Sequence, residues 1–154
     1  MRTKISSCPG CGVVLDEVAG PTHPYIGASA ACWALYGERH LTIPHPLVVH
    51  VYAVQHPGVP ERRAVQSVAL HLMALCAVFQ CDAPADRLIA FLPRALLRPP
   101  AWEWLEPPVP NGSLTIADVI DRESVEVWAR DVWDAWSDHH AVVRAWLDAA
   151  GGAL

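Results

Sequence analysis

The segment Cys8-Pro9-Gly10-Cys11-Gly12 carries the most specific chemical signal in this chain of 154 residues. Two thiolates separated by two residues can both reach one zinc ion at about 2.3 Å. Pro9 suits the tight turn between them, and the glycines supply the positive backbone angles such a turn needs. The pair is half of a tetrahedral site, so two more ligands are required. His23 and Cys32 are the nearest candidates in the sequence. Cys32 falls in the first turn of a predicted helix after Ser29, where the helix dipole favours a thiolate. The expected set is Cys8, Cys11, His23 and Cys32, a closed structural zinc site that pins an irregular arm to the rest of the fold. Two free thiols in a turn is the competing reading. A redox pair is a third, but it lacks the strand-to-helix setting of a βαβ unit. Cys76 is expected in the core, with Cys81 as a fallback ligand.

The eight histidines are the second source of chemistry. On a predicted helix over 47–55, His45, Tyr52 and His56 point to one side, yet His45 and His56 are about 16 Å apart along the axis. They cannot share an ion on a straight helix, and His50 faces elsewhere. A second site must therefore combine helices. The expected constellation joins His56, His71 and one of His139 or His140, with Tyr52 as a proton donor. Three imidazoles with an open position hold zinc or iron and activate a water. The competing reading makes each histidine a hydrogen-bonded core residue.

The elements that must position these groups are mainly helical. Residues 1–28 are rich in Gly, Pro and small side chains, so they read as an irregular arm with no periodic face. A metal clip would supply the ordering free energy that such a stretch lacks. Ser29 reads as an N-cap for a helix ending at Gly37. The spacing of Val65, Ala69, Leu72, Cys76 and Phe79 predicts a central helix from Glu61 to about Gln80. A shorter helix is expected from Pro84 to Leu97. A Trp- and Pro-rich loop follows over 101–112, read as a connector across the core. Thr115 to Asp118 has the pattern of a capping box. A last helix from about Ser124 to Ala149 carries the stripe Val125, Trp128, Val132, Ala135, His139, Val142, Trp146 and Ala149. The expected architecture is all-α: a single domain, 1–154, built as an irregular bundle of about five helices behind the metal-binding arm.

Hydrophobic residues are 53% of the chain and charged residues 18%, which excludes intrinsic disorder. The net charge of -5 argues against nucleic acid as a partner. The apolar run from Ala64 to Phe79 is short for a membrane span and contains Gln66, Ser67 and His71. With polar first residues and an odd number of cysteines, a reducing cytoplasm is the expected location. There is no phosphate-binding glycine loop and no serine nucleophile motif.

Together the knuckle, Gly20-Pro21-Thr22-His23, Ala31-Cys32-Trp33, Tyr52-Ala53-Val54-Gln55-His56-Pro57-Gly58, Gln66 to Leu72, Trp104 to Pro108 and His139-His140 resemble an uncharacterised bacterial family, a domain of unknown function. That pattern tends to be acidic at position 50, where this chain has His50. The resemblance implies a whole domain and no activity. A weaker likeness, to helical bundles that place a metal on three histidines, departs at His139 and His140, which are adjacent and point about 100° apart.

The leading expectation is a zinc-binding helical protein with a His-lined pocket for a small molecule, in its enzymatic form a metal-dependent hydrolase or transferase. The alternatives are an interaction module in which zinc is only a staple, and a redox or metal sensor.

Overall fold

A computed structural model describes residues 2–97 and 99–151. The arm is more regular than its composition suggests. Strands β1 (Ile5–Ser7) and β2 (Val14–Asp16) pair antiparallel, with Ser6 opposite Leu15, and the cysteine knuckle is the turn between them. Two three-residue strands leave no periodicity to read in a sequence. What holds the turn is local: the Cys8 N–H donates to the Val13 carbonyl and the Gly12 N–H to the Cys8 carbonyl.

Among the described residues six α-helices follow: α1 (Ala30–Thr42), α2 (Leu47–Gln55), α3 (Arg62–Cys81), α4 (Leu88–Leu97), α5 (Arg122–Ala135) and α6 (His140–Ala149). Ser29 caps α1 by accepting from the Cys32 N–H. The helix runs through Gly37 to Thr42, past the glycine expected to end it, because Gly37 lies mid-helix with open space where a Cβ would be. His45 caps α2 with its ring: Nδ1 accepts the Leu47 N–H, and Nε2 lies 3.4 Å from Glu126.

Helix α3 is central and packs against α2, α4, α5 and α6. Its residues Ala64, Val68, Leu72, Met73, Leu75 and Cys76 are buried. At 20 residues it is longer than the apolar run in the sequence, and by length and composition alone it could cross a membrane. Half of its most apolar window is buried inside the helical assembly, which accounts for that composition. Burial pushes the Cys76 thiol up to about 12, so it stays protonated as a small core side chain.

The single helix expected over 124–149 is two. A 3-10 turn at Ser137–His139 separates α5 from α6. Before the turn the stripe holds, with Val125, Trp128 and Val132 buried. After it the helix is rotated, and Val143, Trp146 and Leu147 are the buried residues. His139 and Ala149 drop off the buried face.

Four polar side chains lock the connector over 99–121 to this core. Gln55 donates to the carbonyls of Asn111 and Leu114 and accepts from Trp128 Nε1. Asn111 donates to the Val54 carbonyl and accepts from Trp136 Nε1. The four side chains are buried, so each bond replaces one otherwise made to water. The two indoles fill the core without leaving an N–H unpaired.

Candidate metal centre

Three elements converge at one end of α2. The β1–β2 turn brings Cys8 and Cys11, the first turn of α1 brings Cys32, and the residue ending α2 is His56. One ligand atom from each lies within 4.8 Å of all the others. Cys8, Cys32 and His56 are buried and Cys11 is partly buried. The separations suit a tetrahedron. Thiolates at about 2.3 Å and an imidazole at about 2.05 Å from one centre put two sulfurs about 3.8 Å apart, and sulfur and nitrogen about 3.6 Å apart. The Cys11 and Cys32 sulfurs are 3.9 Å apart, and Cys32 Sγ is 3.5 Å from His56 Nε2.

The groups around these ligands prepare them. His56 Nδ1 donates to the Tyr52 carbonyl at 2.8 Å, so in the neutral ring Nε2 carries the free lone pair and faces the sulfurs. Tyr52 stacks on the His56 ring, with centroids 3.9 Å apart, and its hydroxyl donates to Cys32 Sγ at 3.3 Å. Burial, with the bond to Cys32, pushes the Tyr52 phenol up and keeps it a donor. Gly10 is the cradle beneath the imidazole. A Cβ there would lie 2.5 Å from His56 Cδ2 and 2.7 Å from the Gly27 carbonyl.

Hydrogen bonds from Cys11 and Cys32 hold Cys8 far below the usual thiol range. Contact with Cys11 and Cys8, together with burial, pushes Cys32 far above it. Three sulfurs in contact cannot all ionise unless a cation lies between them.

The expected ligands Cys8, Cys11 and Cys32 are brought together, and the fourth member is His56 where the sequence had suggested His23. The reason is the state of the His23 ring. Its Nδ1 accepts the Tyr25 N–H at 3.1 Å, so a neutral ring carries its proton on Nε2 and has no lone pair to give. The ring instead packs on Tyr25 and Trp33. The signal for His56 was its position at a helix end before Pro57 and Gly58, where another backbone can approach. The arm does so: the Gly27 N–H donates to the His56 carbonyl, and Ile26 bridges to Pro57.

The three-histidine constellation is not assembled. His56 and Tyr52 belong to the cysteine group. His71, on α3, pairs with His50, on α2, through Nδ1 atoms 2.8 Å apart. His139 and His140 each donate from Nε2 to a backbone carbonyl, those of Glu106 and Trp133, and His140 stacks on Trp133. Those two are structural hydrogen bonds made where one helix stops and the next begins.

A cavity of about 520 Å³ lies between the arm and helices α1 to α4. Tyr52 and His71 both line it, and so does His23. Its volume is that of a small-molecule site.

The fold and the site thus define a mostly helical domain with a Cys3His group that could hold a metal ion. The chain belongs to a family of unknown function (DUF5946), whose model matches residues 6–137. No curated protein and no solved structure matches it.

Proposed function

We propose that this protein binds one zinc ion through Cys8, Cys11, Cys32 and His56, and that the ion is a staple which builds a small-molecule binding site. The observation that carries this reading is the mutual approach of four ligand atoms within 4.8 Å. Three thiolates and an imidazole are a set that selects zinc over harder divalent cations. Four protein ligands fill a tetrahedron and leave no open position for a substrate or an activated water, which favours a structural role over a catalytic one. The ion's charge offsets the thiolates that the free protein cannot hold together.

The staple has a structural consequence. It ties the knuckle to α1 and α2, and the arm running on from it contributes His23, Tyr25 and Ile26 to the wall of the cavity. Metal binding and pocket formation are therefore linked, and the domain works as a zinc-assembled binding module. Free thiols in contact suit a reducing compartment, and cytoplasm is the location proposed.

The test is the metal content of protein purified without an affinity tag. One zinc per chain is expected in the native protein and in His23→Ala, and none in Cys11→Ser or His56→Ala. Metal lost from His23→Ala but kept in His56→Ala, or absent from the native chain, overturns the assignment.

A further inference from the structure

The cavity beside the staple has a polar side and an aromatic side, and the two are supplied by different elements. The polar side is one stripe of α3. Arg63, Ser67 and His71 follow each other at four-residue steps, so they stack on successive turns of one face. The opposite wall is aromatic, with Trp33 and Tyr36 from α1 and Tyr52 from α2. Tyr36 stacks on Tyr52 at 4.1 Å and Trp33 packs against both, so this wall is a preformed platform. Flat aromatic walls favour a planar occupant.

Charge selects among planar occupants. The protein carries a net charge of -5, yet among the described residues no Asp or Glu lines this cavity. Among the described residues Arg63 is its one fixed charge, at the exposed first turn of α3, where the helix dipole has the same sign. The guanidinium is held in place by a bond from one terminal nitrogen to the Tyr25 hydroxyl at 2.9 Å, which leaves its other N–H groups for a ligand. At the other end of the stripe, His71 Nδ1 is engaged by His50. Its Nε2 is the ring nitrogen left for an occupant. Eight residues of helix separate the two ends, so the polar groups of a ligand that meets both lie on the order of 10 Å apart.

We propose that this cavity binds a planar aromatic carboxylate carrying a second hydrogen-bonding group, such as a hydroxyl, at its far end. The carboxylate sits against Arg63, the ring lies along the Trp33–Tyr36–Tyr52 wall, and the far group meets His71 Nε2. His50 is a positioning residue that fixes the His71 ring. This inference rests on the zinc-staple reading in one respect: the arm that the metal holds supplies one wall.

The experiment is calorimetric titration of the zinc-loaded chain with 6-hydroxy-2-naphthoate, its methyl ester and 2-naphthoate. Saturable binding at one per chain is expected, with the ester at least tenfold weaker and 2-naphthoate several-fold weaker. Arg63→Gln, at an exposed position, should erase the preference for the acid over the ester. His71→Phe should erase the preference for the hydroxylated ring. Retained zinc and an unchanged helical spectrum in each variant show that the fold is intact. No saturable binding, equal binding of acid and ester, or an Arg63→Gln variant that still prefers the acid overturns the proposal. A chain that carries zinc but binds no naphthoate keeps the staple and loses the ligand. A chain that binds the acid selectively without zinc keeps the ligand and loses the staple.

Discussion

Replacing Gly10 by alanine tests the metal centre without touching a ligand. The added Cβ would lie 2.5 Å from His56 Cδ2, about 0.9 Å inside the 3.4 Å at which ordinary contact begins. It cannot turn the other way, because the Gly27 carbonyl stands 2.7 Å from the same point. The imidazole must therefore retreat or the knuckle must lift. Either movement is several times the roughly 0.2 Å by which metal–ligand distances vary. The His56 ring has little room to comply, since its Nδ1 is fixed to the Tyr52 carbonyl and its face to the Tyr52 ring. The expected loss is at least that of removing an orienting group around a metal, about 10- to 100-fold in affinity, or roughly 1.4–2.7 kcal/mol. Competition with a chromophoric chelator measures it. Cobalt(II) substitution reports whether the site stays four-coordinate with three sulfurs. Gly20→Ala is the control, because a Cβ there meets nothing within 4 Å. Should Gly10→Ala hold zinc as tightly as the native chain, His56 is not a ligand and the centre is wrongly assembled.

Three further outcomes are expected. Tyr52→Phe keeps the ring stacked on His56 but removes the hydroxyl bonded to Cys32, so zinc should remain with an affinity lowered by about 0.5–1.5 kcal/mol, read by the same competition. Asn111→Leu leaves the Trp136 Nε1 and the Val54 carbonyl buried without partners, and urea unfolding should show a loss of about 2–4 kcal/mol with the metal still bound. The histidine pair sets a pH dependence. Burial, with the charge of His71, holds His50 at about 3, and burial holds His71 at about 4, both below the ordinary value of 6.5. As pH falls through 6.5 the unfolded chain takes up protons at these positions and the folded chain does not, so stability drops. Between pH 7.5 and 5.5 the two together should cost on the order of 2–3 kcal/mol. A His50→Leu/His71→Leu protein should lack that component, and identical urea profiles for the two proteins would refute the pairing.

The parts of the site that lie close in sequence were legible, and the parts that depend on tertiary approach were not. Cys8 and Cys11 declare themselves because their spacing alone satisfies a metal, and Cys32 because Ser29 marks a helix start. His56 could not be separated from His23 by spacing. The choice turns on which ring nitrogen each backbone neighbour occupies, and that requires the arm to be laid along the end of α2. Helix α2 was legible to the residue, since Pro46 and Pro57 bracket it. The break between α5 and α6 was not, because apolar residues recur at three- and four-residue steps straight through it. The periodicity persists across Ser137–His139 while the backbone does not, and only the change of buried residues from Val132 to Val143 reveals the rotation. The pairing of His50 with His71 joins two helices whose relative rotation no local pattern fixes.

All four members of the Cys3His group fall within the first 56 residues, while the helices that bury α2 come later in the chain. During synthesis the complete donor set is therefore made before α3 to α6 are added. Over that interval the knuckle, α1 and α2 form a nascent chain whose apolar surfaces await α3 and α5. Closing a metal across residues 8 and 56 would remove loop entropy from that fragment before the rest of the core exists to do so. An ion held by the Cys3His group would thus be captured early in biogenesis, and the supply of metal to the ribosome-bound chain would set how much of it folds.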